Sequence, residues 1–133
     1  MKARTRIRTG IAAAIATATL IGVGTAPADA ATRRDVAGVW TATDHVDGSN
    51  LLLVITPRLR VFLFDDAATA CSLAPALASG RGTLSGDVVE IDPFFVDCLN
   101  SDPDFPVAYS FTYDPATGTL TDPSGLDIYT RLF

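Results

Sequence analysis

The sequence predicts an all-β fold: a small antiparallel up-and-down barrel of seven or eight strands, with a β-sandwich as the alternative. Three observations carry that expectation. From residue 36 onward, short apolar or alternating runs recur every eight to fourteen residues, a spacing that suits strands and leaves no room for long helices. Gly, Pro, Asp and Asn punctuate the runs, each suited to a reverse turn. A sheet closed on itself also leaves no bare edge to recruit another chain.

The first run covers residues 36–43 and gives way to a polar stretch, 44–50, with Asp47-Gly48 as its turn. Runs 51–56 and 59–64 follow, joined through Pro57 and Arg58. A weaker run occupies 76–84, and 88–91 follows the Ser85-Gly86-Asp87 turn. Residues 107–113 give the clearest strand, with Val107, Tyr109, Phe111 and Tyr113 on one face and Ala108, Ser110 and Thr112 on the other. Runs 119–121 and 126–133 close the chain after turns at 114–118 and 122–125. Two stretches lack the pattern. Residues 66–75 are Ala-rich and fit a helical turn capped by Asp65 or Asp66, or a loop carrying Cys71. Residues 93–106 hold three prolines and read as a long loop pinned by Cys98.

Ahead of the domain lies a different composition. Lys2, Arg4, Arg6 and Arg8 precede an apolar run from about residue 11 to 23, and Ala28-Asp29-Ala30 offers a small-x-small cleavage site. That order predicts a secretory signal peptide over residues 1–30 and a single mature domain over 31–133. The apolar run is too short to span roughly 30 Å of hydrocarbon, so no membrane span is expected after processing. The expected location is extracellular or in the cell envelope. Removing Lys2, the three Arg and Asp29 takes the net charge from −5 to about −8. Such a surface repels nucleic acid and anionic membranes. Nine Arg against a single Lys, with abundant Ala, suggests a GC-rich bacterial gene.

Cys71 and Cys98 are the two cysteines. An oxidising compartment and an even count favour a disulfide between them. The spacing is not C-x-x-C, and two Cys with one His are too few for a zinc site.

Gly38-Val39-Trp40 in the first strand and Arg131 in the last resemble the pattern of the calycin superfamily: lipocalins, avidins and bacterial metalloprotease inhibitors. The resemblance implies that Trp40 packs under the Arg131 guanidinium and closes one end of a barrel, gaining apolar burial and a cation–π contact. Asp65-Asp66, two cysteines and Tyr129-Thr130-Arg131 are also similar to small secreted bacterial β-proteins of unassigned function. The chain departs from avidins in having one Trp, and from the inhibitors in having only seven mature residues ahead of Gly38.

Few side chains suggest chemistry. His45 is the sole histidine, and in Asp44-His45-Val46-Asp47-Gly48 it reads as a solvated turn residue. Catalysis by Ser-His-Asp or Cys-His would depend on it, and no nucleophile motif accompanies it. Asp65, Asp66, Asp92, Asp114, Asp122 and Asp127 read as turn and solvation residues. Asp97, Asn100, Asp102 and Asp104 offer oxygens to a hard cation, but their spacing matches no calcium loop. No catalytic residue, cofactor or metal ligand is therefore expected, and the protein reads as a non-enzyme. Residues 51–55 and 61–64 are apolar on both faces. Leu52, Val54, Phe62 and Phe64 form a candidate binding patch, unless the 92–106 loop covers them or the strands are central in a sandwich. The functional expectation is a secreted binding module for a small apolar ligand or another extracellular protein. The alternative is a protease inhibitor acting through the N-terminal segment or a loop. Nothing in the sequence sets the oligomeric state.

Overall fold

A computed structural model describes residues 29–100 and 102–133. All but the last two residues of the expected signal peptide lie outside that range. A single turn of helix, α1 (Arg33–Val36), precedes eight strands: β1 (Gly38–Thr43), β2 (Asn50–Ile55), β3 (Arg60–Ala68), β4 (Ala74–Ser85), β5 (Val88–Cys98), β6 (Phe105–Asp114), β7 (Thr119–Thr121) and β8 (Ile128–Arg131). Each strand pairs antiparallel with the next, and β8 pairs back onto β1, closing an up-and-down barrel. The sandwich alternative is excluded. No helix among the described residues is long and apolar enough to cross a membrane.

Inward residues follow the period of two that a pleated strand imposes. Leu51, Leu53 and Ile55 of β2 are buried, as are Trp40, Val61, Val89, Ile91, Phe111, Leu120 and Tyr129 from other strands. Three stretches differ from the sequence expectation. Val36 belongs to α1 and plugs the barrel floor, so the first strand starts only at Gly38. The Ala-rich stretch 66–75 is strand at both ends, with a 3-10 turn at Thr69–Cys71 and no side-chain cap from Asp65 or Asp66. The supposed loop 93–106 is strand at both its ends, leaving only residues 99–104 between β5 and β6.

A bulge explains the last correction. Asp92 and Pro93 together oppose the single residue Arg81 on β4 and the single residue Ala108 on β6. Pro93 has no N–H to donate, so a bulge is where a strand accommodates it. The extra residue flips the facing parity: Ile91 points inward before it, Phe94 and Cys98 after it. Gly80 makes room on β4, where a Cβ would lie 2.5 Å from Ile91 Cγ2 and 2.8 Å from the Pro93 carbonyl oxygen. A similar two-against-one step on β3 separates Asp65, paired with Ala76, from Ala68, paired with Ala74.

The two ends of the barrel differ. At one end, Trp40 is fully buried and its Nε1 donates to the Val36 carbonyl at 3.0 Å. Arg131 lies over the indole with Cζ 4.3 Å from the ring centroid, and donates to the carbonyls of Ala37 and Asp35. Gly38 packs so tightly here that a Cβ would meet the Phe133 carbonyl at 2.9 Å. Ala31 N donates to Asp87 Oδ1 at 2.8 Å, holding the start of the domain against the same floor. At the other end no such plug exists among the described residues. There Cys71 and Cys98 stand at disulfide distance, with Cα atoms 5.4 Å apart, and pack with Ala68 and Ala76.

Candidate ligand cavity at the open end

The unplugged end holds a cavity of about 400 Å³. Its walls come from residues whose small or apolar side chains face inward: Leu51, Leu63, Ala76, Ala78, Phe94 and Val96, continued by Phe105, Val107, Tyr109 and Tyr129. The alanines of β4 create the space. From the neighbouring strand β5 through β6 to β8, Phe94, Tyr109, Phe111 and Tyr129 form a chain of aromatic contacts with centroids 5.1 to 5.9 Å apart. Small side chains on β4 and rings on these strands leave a hollow the floor residues do not fill.

Three carboxylates join this lining: Asp44, Asp65 and Asp127. Asp65 faces inward because it precedes the β3 bulge, and burial in the apolar wall raises its pKa. Asp127 is 4 % exposed. Its Oδ1 accepts the His45 backbone N–H at 2.8 Å and faces His45 Nδ1 at 2.7 Å. Among the described residues no donor bonds its Oδ2. The hydrogen bond to Asp127 raises the His45 pKa, with desolvation opposing it and the charges of Asp127, Asp44 and Asp122 adding to it. Asp122 organises the adjoining turn, accepting from Ser124 Oγ and from the backbone N–H groups of Ser124, Leu126 and Asp127. Burial alone would raise the Asp122 pKa, but these bonds, led by Ser124, lower it.

The Tyr129 hydroxyl is the anomaly. The residue is fully buried, and its Oη, like the Oγ of buried Ser49, has no hydrogen-bond partner among the described residues. Leaving such a group unpaired costs about 1–3 kcal/mol. Burial raises the pKa values of both Tyr129 and Tyr109, and nearby Asp122, Asp127 and Asp44 push them further. Both phenols therefore remain protonated and available as hydrogen-bonding groups.

Asp44, His45 and Asp127 bring three ligand-type atoms within 4.8 Å of one another. Oδ1 of Asp127 is already engaged by two His45 nitrogens, so the trio is satisfied as a hydrogen-bonded pair with a neighbouring acid. Asp102 and Asn100 bond each other, and Asn100 Nδ2 also donates to the Cys71 carbonyl.

The expected closure residues Gly38, Trp40 and Arg131 are brought together as described, far from the cavity lining. The expected patch lies on the outer wall. Leu52, Phe62 and Phe64 are 37–40 % exposed, and Val54 is half-buried. Cross-strand register places Val54, Phe62, Ser79, Phe95 and Pro106 in one row around the barrel, with Leu52, Phe64 and Leu77 in the next. Leu77 and Phe95 extend the patch and are absent from the sequence reading. The cavity carboxylates were individually visible as turn residues, but His45 and Asp127 are 82 positions apart and meet only through barrel closure. No protein-family model matches the chain, and comparison with curated proteins and with solved structures finds no match either.

Proposed function

We propose that this protein is an exported, non-enzymatic binding protein that holds a small, largely apolar molecule in the open end of its barrel. The observation that carries the reading is a hollow of about 400 Å³ at the open end, walled mostly by apolar side chains with a few polar groups among them. Volumes of roughly 300–1,000 Å³ with apolar walls and a few convergent polar groups are typical of small-molecule sites. The basic head and apolar run of residues 1–30 support export. The sealed eight-stranded meander is compatible with a calycin-like fold. His45 is committed to Asp127 and the cysteines to each other, which supports a role without catalysis.

Native mass spectrometry of the purified mature chain tests this, backed by titration with the neutral dye Nile red. Ala78→Trp fills the hollow from β4 and should abolish dye binding while the barrel stays folded. Unchanged dye binding in that variant would remove the cavity from consideration.

A second reading has its own support. The exposed band of Leu52, Phe62, Phe64, Leu77 and Phe95 is the kind of contiguous apolar surface that marks a protein contact. Serine at Phe62 and Phe95 should then weaken capture of that partner without altering dye binding. The inhibitor alternative would need residues 31–37 released, since Val36 is buried and Ala31 is tied to Asp87.

A further inference from the structure

We infer that the ligand is a small organic cation, an amine with an apolar body, whose ammonium group sits among Asp44, Asp65 and Asp127. The inference rests on the proposed cavity and narrows what it accepts. Among the described lining residues there is no Lys or Arg, and the charged groups are the carboxylates of Asp44, Asp65 and Asp127. His45 is on the rim, its side chain 35 % exposed, and covers only Oδ1 of Asp127. No described residue donates to Oδ2 of that nearly buried carboxylate. Asp44 likewise spends Oδ1 on the Val46 N–H, and Asp65 spends Oδ1 on the Ala67 N–H.

The apolar body has a place as well. Phe94, Phe105, Tyr109 and Tyr129 are among the residues lining the same space, and aromatic faces attract cations as well as alkyl groups. Tyr129, whose buried Oη has no partner among the described residues, is one of the residues lining that space. Fatty acids and other anions fit the walls but not the charge: a carboxylate head would face three others. Neutral apolar molecules fit the walls and leave the carboxylates unpaired.

Calorimetric titration of the intact mature protein with phenylbutylamine, phenylbutanol and phenylbutyrate separates these cases. The amine should bind about tenfold or more tighter than the alcohol, and the acid most weakly. Asp65→Asn, and separately Asp44→Asn, should reduce the amine's advantage over the alcohol. Both lie on backbone that keeps its other contacts, and circular dichroism checks that each variant folds. Equal affinity for the three probes, or preference for the acid, would overturn the cationic class and leave the cavity reading standing. No binding of any probe at millimolar concentration, with Nile red also excluded, would overturn both.

Discussion

Arg131 and Trp40 face each other directly across the β8–β1 pairing, and the guanidinium lies 4.3 Å from the indole centroid. The same guanidinium donates to two carbonyls of the N-terminal segment, so one side chain ties α1, β1 and β8 together. The fold is closed through this contact.

Replacing Arg131 by Met keeps the apolar stem but removes the charge and the donors. A cation–π contact near the surface contributes about 0.5–1 kcal/mol, and each hydrogen bond about 0.5–1.5 kcal/mol. Arg131→Met should therefore cost about 1.5–4 kcal/mol in urea unfolding. Trp40 is the only tryptophan, so its fluorescence reports the transition without a label. A midpoint equal to that of the native chain would mean that the seal contributes nothing.

Neighbouring phenylalanines on β5 offer a test of the two faces. Phe94 is 1 % exposed and Phe95 is 52 % exposed. Phe94→Ala should cost about 3–5 kcal/mol, as a large side chain removed from a core. Phe95→Ser should cost about 1 kcal/mol or less, and Phe62→Ser about 1–2 kcal/mol, reflecting cross-strand packing only. Losses of several kcal/mol at Phe62 and Phe95 would indicate a covered outer wall.

His45 titrates in the accessible pH range. Its bond to Asp127 raises its pKa above the ordinary 6.5. Because the folded value exceeds the unfolded one, the resulting stabilisation is fully present below the unfolded pKa and disappears as pH rises through the folded pKa. NMR titration of the ring should place the folded pKa above 6.5, and Asp127→Asn should bring it down. The thermal midpoint should fall across that same interval, and less so in the variant.

Cys71 and Cys98 are 27 positions apart. Closing a loop of that length stabilises by about 3–4 kcal/mol in the chain-entropy model. Treatment with reductant should lower the urea midpoint by the corresponding amount, and Cys71→Ala/Cys98→Ala should match the reduced protein. Identical midpoints with and without reductant would show that the sulfurs are not joined in solution.

Where side chains alternate in size and polarity, the strands were plain in the sequence. β6 was legible because Val107, Tyr109, Phe111 and Tyr113 repeat every second residue, and β7 because turn residues bracket it. β4, the longest strand at 12 residues, read weakly because its inward positions are Ala76, Ala78, Gly80 and Gly82. Those small residues carry little hydrophobic contrast, yet they make the cavity possible. The second half of β5 was hidden by the Asp92-Pro93 bulge, which breaks the period of two while keeping the strand. Closure at Trp40 and Arg131 was readable through a resemblance. The Asp44–His45–Asp127 grouping was not, because turn residues from the two ends of the chain look like ordinary solvated turns until the ring is shut.

Leu132 N donates to the Val39 carbonyl, and Val39 N donates to that of Phe133. The clasp of the ring thus joins β1 to β8, the two strands farthest apart in the sequence. While β8 is undocked, β1 and β7 are bare edges for strands of other molecules. Docking of β8 is in this sense what withdraws the barrel from its neighbours: shutting the ring covers both edges at once.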